Sequence, residues 1–129
     1  MSAVHPEERW QDKVWGSSRA VWGSFPGVEM YECSTERGMC SLHYHPTLFN
    51  QFLVLEGCID VEYLTDEDQP CCARLEVGDC LVIKPKVVHR FLVVEPGSMI
   101  ELYWNQEGTA VNPAEDIVRL HPGSDRCDV

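Results

Sequence analysis

Positive charge is what this sequence has least of. Ten Lys and Arg stand against 21 Asp and Glu, a formal net charge of −11. Nucleic acid and anionic membrane surfaces both reward clustered cations, so neither is expected as a partner. No apolar run approaches ~18 residues, so no membrane-spanning helix is expected. No charged-then-apolar leader opens the chain, and the expected location is the cytoplasm. The Cys-x-x-Cys spacing is also missing, although cysteines stand at positions 33, 40, 58, 71, 72, 80 and 127. A tetrathiolate zinc site is therefore not expected. Adjacent Cys71 and Cys72 would bridge only with strain, so the thiols are read as reduced and mostly packed as small apolar side chains. Internal repeats and strand–helix–strand units are absent as well.

What is present is enough for one domain. A chain of 129 residues with 44% hydrophobic content can bury a real core. Residues 1–19 read as an N-terminal extension, in which Pro6-Glu7-Glu8-Arg9 has the composition of a helix start. Trp10 and Trp15 in it are expected to cover one end of the fold. From Ala20 to residue 111 short apolar segments alternate with turn residues. The segments are Val28–Cys33, Met39–Tyr44, Gln51–Leu55, Cys58–Leu64, Cys72–Leu75, Cys80–Ile83, His89–Val94 and Met99–Trp104. Turn signals separate them at Phe25-Pro26-Gly27, Gly38, Glu56-Gly57, Asp66 to Pro70, Gly78-Asp79 and Pro96-Gly97. In Cys58–Leu64 the residues Ile59, Val61 and Tyr63 alternate with Asp60 and Glu62, giving one buried and one wet face. Strands this short and evenly spaced predict an all-β, antiparallel sandwich or barrel. Asn112-Pro113-Ala114-Glu115 resembles a capping box and predicts a helix over 112–120, followed by a tail over 121–129.

The histidines carry the chemistry. His5 and His121 read as surface residues. His43 and His45 stand two apart in a strand-like segment, so both rings leave the same face. Two buried imidazoles need partners, since an unsatisfied buried polar group costs about 1–3 kcal/mol. A shared metal ion would serve both, and His89, at the end of the glycine-bounded segment GDCLVIKPKVVH, would be a third ligand.

These residues fall into two motifs that resemble those of the cupins, in their small single-domain form, over roughly residues 28–104. The first motif, Gly, His-x-His, four residues, Glu, six residues, Gly, reads here Gly38, His43-Tyr44-His45, Asn50, Gly57. The second, Gly, five residues, Pro, x, Gly, two residues, His, reads Gly78, Lys84, Lys86, His89. The chain departs from the pattern in having Asn50 for the glutamate, and Lys84 and Lys86 for the proline and glycine. The resemblance implies a cupin-type antiparallel double-sheet β-barrel, or jelly roll, here with the short C-terminal helix. It implies one divalent transition metal, Fe, Ni, Zn or Cu, on His43, His45 and His89. Asn50 is either a neutral fourth ligand or a capping amide at the strand start. A homodimer is implied too.

Weaker tokens, Trp15-Gly16-Ser17, His89-Arg90-Phe91, Ile100-Glu101-Leu102 and Glu115-Asp116-Ile117-Val118-Arg119, are similar in order to those of sugar-isomerase-like cupins such as the type II mannose-6-phosphate isomerase domain. By that similarity Arg119 is a phosphate or substrate ligand, or else a cation at the helix C-terminus. Glu101 and Tyr103 share strand parity and point into the barrel together; Glu101 is the best candidate acid–base residue and Tyr103 a substrate contact. Lys84 and Lys86 either attract an anion at the mouth or are solvated edge charges. The leading expectation is a metal-binding cupin that acts on or binds a small polar molecule, such as a sugar or sugar phosphate. The alternatives are a three-histidine non-haem iron dioxygenase and a barrel that binds a ligand without turnover.

Overall fold

The computed structural model describes residues 10–21, 27–107 and 115–124. Their regular structure is entirely strand: β1 (Gln11–Lys13), β2 (Gly16–Val21), β3 (Gly27–Cys33), β4 (Leu42–Tyr44), β5 (Phe49–Leu64), β6 (Pro70–Leu75), β7 (Cys80–Ile83), β8 (His89–Trp104) and β9 (Val118–His121). All pairings are antiparallel, in one curled sheet ordered β1-β2-β3-β8-β4-β9, with β5 joined to β6, β7 and β8. Among the described residues no helix is long and apolar enough to cross a membrane.

The sheet curls because its two longest strands bend. β5 and β8 each run 16 residues and pair along nearly their whole length, from Phe49↔Trp104 to Tyr63↔His89. The register shifts three times between Val54 and Ile59, and each bulge adds local twist and turns the strand. Gly57 (φ +80°) and Gly97 sit at this corner because the backbones nearly touch. A Cβ on Gly97 would lie 2.1 Å from the Glu56 carbonyl oxygen, and one on Gly57 would lie 2.5 Å from that of Glu95. Glu56-Gly57 and Pro96-Gly97, read from sequence as turns between four short strands, are therefore bends within two long ones.

Alternation along these strands builds the interior. Phe52, Val54, Ile59 and Val61 of β5 meet Phe91, Val93 and Met99 of β8 in the core, each at most 3% exposed. Trp15 closes this cluster with its ring 5.1 Å from Tyr31 and 4.9 Å from Phe91, edge-on to both. Its role is core packing, whereas Trp10 stays exposed. Strand structure starts before Ala20, since β1 and β2 form a hairpin that pairs with β3. The Pro6-Glu7-Glu8-Arg9 helix start lies outside the described residues. Cys33, Cys40, Cys58, Cys71, Cys72 and Cys80 are all free thiols. Burial pushes the thiols of Cys33 and Cys40 up to about 12.

The helix expected over 112–120 is corrected where it is described. Glu115 and Asp116 lie in a turn and bend, and Val118–His121 is a strand that pairs with β4. The local capping signal is outweighed by tertiary pairing: β4 has an edge whose backbone groups need partners, and Ile117-Val118 suits an extended chain. Asn112 and Pro113 of the proposed cap lie outside the described residues.

Candidate metal centre

β4 and the first half of β8 bring three histidines together. His43 pairs directly with His89, and His45 follows two residues after His43 on the same face. All three are buried, His89 completely. Ring centroids are 4.4 Å apart for His43 and His89, 5.0 Å for His43 and His45, and 5.7 Å for His45 and His89. One ring nitrogen from each lies within 4.8 Å of the other two.

Main-chain carbonyls decide which nitrogens face each other. The Nδ1–H of His43 donates to the Ser41 carbonyl (2.7 Å), that of His89 to Val87 (2.9 Å) and that of His45 to Asp116 (2.7 Å). An Nδ1 that donates leaves Nε2 as a bare lone pair. The Nε2 atoms of His45 and His89 are buried with no hydrogen-bond partner. Burial holds His43 down to about 4 and His89 down to about 3, and it lowers His45 as well. Neutral imidazoles with inward lone pairs and Nδ1 anchored on carbonyls are the donor set that a divalent transition metal takes. The residues fit such an ion.

Asn50, the expected fourth ligand, lies on a different strand. It is fully buried on β5, opposite Tyr103 of β8. Its Nδ2 donates to Glu101 Oε2, so its Oδ1 is the free end, and that oxygen too is buried without a partner. The motif position thus offers a neutral oxygen, with its orientation set by a carboxylate.

Glu101 and Tyr103 face inward from the second half of β8, 3% and 5% exposed. Glu101 Oε1 accepts from the hydroxyl of Tyr103 (2.6 Å) and from that of Tyr31; the two hydroxyls are 3.1 Å apart. Burial pushes the Glu101 carboxyl up to about 7, against the lowering effect of the hydrogen bonds from Tyr103, Tyr31 and Asn50. Burial, and then the Glu101 charge, raises both tyrosines well above their ordinary range. The Tyr103 ring stands edge-on to His45 at 5.6 Å, which joins the acidic and imidazole clusters into one site. Sequence reading missed Tyr31; its alternation with Cys33 on β3 was the available signal. It missed Glu29 as well, which pairs with Glu101 across β3 and β8 and is raised by burial.

Arg119 is on β9 directly opposite His43, close enough for its charge to lower His43 and His45. It is exposed, on a strand rather than at a helix end. Lys84 and Lys86 are exposed in a turn, where the Lys86 N–H donates to the His45 carbonyl (2.8 Å). His121 is exposed, and His5 lies outside the described residues. A surface cavity of about 350 Å³ beside Tyr63, Pro70, Val88 and Arg90 is lined by none of these site residues.

No protein-family model matches the chain, and no curated protein matches it. Solved structures do resemble it. Oxalate decarboxylase from Bacillus subtilis at pH 4.6 aligns with TM-score 0.75 and 12% identity over 88% of this chain and 30% of that one. CapF, solved with the inhibitor 3-isopropenyl-tropolone, aligns with TM-score 0.71 and 14% identity over 88% of this chain and 34% of that one. The chain therefore spans about a third of the length of these proteins. Mn(II) centres are described in the Bacillus subtilis oxalate decarboxylase. Both are cupin proteins, and this chain has the cupin fold, with a buried group of three histidines that could hold a metal ion.

Proposed function

We propose that the chain is a metal-dependent enzyme acting on a small, anionic, polar molecule, with a sugar or sugar phosphate as the substrate class. The observation that carries this reading is the convergence of three imidazoles, each fixed by a carbonyl at its Nδ1, with the Nε2 of His45 and of His89 buried and unpartnered. His43, His45 and His89 would hold the ion, with Asn50 Oδ1 as a neutral fourth donor. A divalent cation there supplies Lewis acidity toward a carbonyl or hydroxyl oxygen.

The remaining roles belong to the chain. Arg119 gives the site a cation in an otherwise acidic molecule, and a guanidinium fork suits a phosphate or carboxylate. Among the described residues it forms no ion pair. Glu101 is the acid–base residue: Oε1 is held by two tyrosine hydroxyls and Oε2 by one amide, so Oε2 is the oxygen that would move a proton. Tyr103 both orients Glu101 and borders the substrate. A homodimer belongs to the same proposal, to be checked by light scattering on the eluting protein.

A second reading has its own support. His43, His45, His89 and Asn50 are all neutral donors, and a neutral triad suits a non-haem iron dioxygenase.

One preparation tests both readings. Protein purified without chelator or a nickel column is expected to carry about one equivalent of metal, and its His43→Ala variant almost none. Isomerisation of sugar phosphates, followed by NMR, is then expected to need Glu101 and to proceed without oxygen. Iron with oxygen-dependent turnover would favour the dioxygenase. Stabilisation by a sugar with no turnover would leave a binding protein. A metal-free wild type indistinguishable from His43→Ala would remove the whole reading.

A further inference from the structure

We infer that Asp116 is a positioning residue of the metal centre, through which metal binding and docking of the C-terminal strand stabilise each other. The inference rests on the reading of His43, His45 and His89 as metal ligands.

Asp116 grips the segment that carries His45 from both ends. Its carbonyl accepts the His45 Nδ1–H at 2.7 Å. Its carboxylate accepts the Leu48 N–H at 2.9 Å, the Thr47 N–H at 3.1 Å and the Thr47 hydroxyl at 2.8 Å. The first bond sets the tautomer and tilt of the ring, and the other three fix the loop just after it. His43 and His89 take their carbonyls from Ser41 and Val87, two residues away in sequence. His45 alone takes its carbonyl from a residue 71 positions away.

The strand that follows Asp116 is weakly held. Among the described residues β9 pairs only with β4, through Tyr44↔Val118, His43↔Arg119 and Leu42↔His121. The Met39–Ser124 bridge continues this pairing with bonds of 2.7 and 3.0 Å. All four β9 residues are exposed, so little apolar burial secures it. When it lifts away, His45 loses the acceptor on Nδ1, and nothing then keeps Nε2 unprotonated and aimed inward. An ion that needs Nε2 therefore favours the docked strand. By linkage, the docked strand tightens the ion by the same factor. Partners that orient metal-bound histidines typically change affinity about 10- to 100-fold.

The test uses the full chain, stripped of metal and titrated with cobalt(II), followed by its visible absorption. Trypsin cleavage after Arg119, within β9, reports docking. In the wild type, cobalt is expected to slow that cleavage. Asp116→Ala is expected to bind cobalt about 10- to 100-fold more weakly, with an altered absorption band and faster metal-free cleavage. Asp116→Ala and Asp116→Asn both keep the main-chain carbonyl that holds His45; Asp116→Asn restores a side-chain acceptor oxygen for Thr47 and Leu48, and is expected to recover most of the affinity. Thr47→Val loses one contact and is expected to fall between them, which keeps the inference testable should Asp116→Ala fail to fold. Wild-type affinity and wild-type protection in a folded Asp116→Ala variant would overturn the inference while leaving the metal reading intact. A wild type that takes up no cobalt would overturn both.

Discussion

Lys86 shows what one residue contributes at the site's rim. It stands where the second motif has glycine, and its backbone adopts the left-handed conformation that glycine favours, with φ +70°. Pro85 precedes it and the Val87 N–H closes on the Lys84 carbonyl, the arrangement of a type II turn. The turn matters because the Lys86 N–H holds the His45 carbonyl. A side chain at positive φ carries a steric penalty that glycine escapes, partly offset by glycine's freer unfolded chain. Lys86→Gly is therefore expected to stabilise the protein by about 0.5–1 kcal/mol, seen as a higher urea midpoint at unchanged slope. A lower midpoint would show that the lysine side chain contributes more than its backbone costs. Asn50 is a second such residue. Where the motif has a glutamate this residue is a neutral amide, and its Nδ2 is bonded to the Glu101 carboxyl. That substitution is legible in the motif, but its pairing with Glu101 is not, because the partners lie 51 positions apart and meet only through the β5–β8 register.

At the scale of elements, β5 and β8 organise the molecule. β8 carries His89 in its first half and Glu101 and Tyr103 in its second, so one strand supplies both clusters of the site. The corner at Gly57 and Gly97 sets the angle between the halves. Gly97→Ala would drive a methyl group into the Glu56 carbonyl. A loss of about 1–3 kcal/mol, typical of overpacking, is expected in denaturant titration, together with weaker metal uptake. An unchanged midpoint would mean that the corner can open without disturbing the site. The same corner explains a difference between sequence and structure. Glycine and proline mark a bend within a strand with the same residues that mark a turn between strands, so four segments were read where two long strands run. His43 and His45 were legible because strand parity is local. Glu101 and Tyr103 shared an inward face for the same reason. β9 was not legible, since Asn-Pro-Ala-Glu signals a helix locally while β4's unpaired edge lies some 70 residues away. Asp116 was hidden with it.

For the molecule as a whole, the site sets how stability varies with pH. The folded protein holds His43 near 4 and His89 near 3, with His45 also lowered. The unfolded chain protonates these rings near the ordinary value of about 6.5. Above that value they cost nothing; as pH falls through it, the unfolded state takes up protons that the fold refuses, and stability is lost. Glu101 works the other way. Its folded value near 7 exceeds its ordinary one, so its buried charge costs most above 7 and the cost disappears as pH falls through the ordinary carboxylate range. Glu29 is raised in the same direction. Three imidazoles, two of them strongly shifted, outweigh these carboxylates. The metal-free protein is expected to melt at progressively lower temperature from pH 6.5 to about pH 4, with a shallower decline in His89→Gln. A flat profile would contradict buried neutral rings.

Each of the three buried imidazoles presses its one N–H hydrogen against a main-chain oxygen. Such hydrogens trade places with solvent slowly. Proton NMR of protein freed of every cation should therefore display three sharp downfield signals that persist for some time in deuterium oxide. The molecule would then carry, while still empty-handed, a spectroscopic imprint of the ion it is shaped to receive.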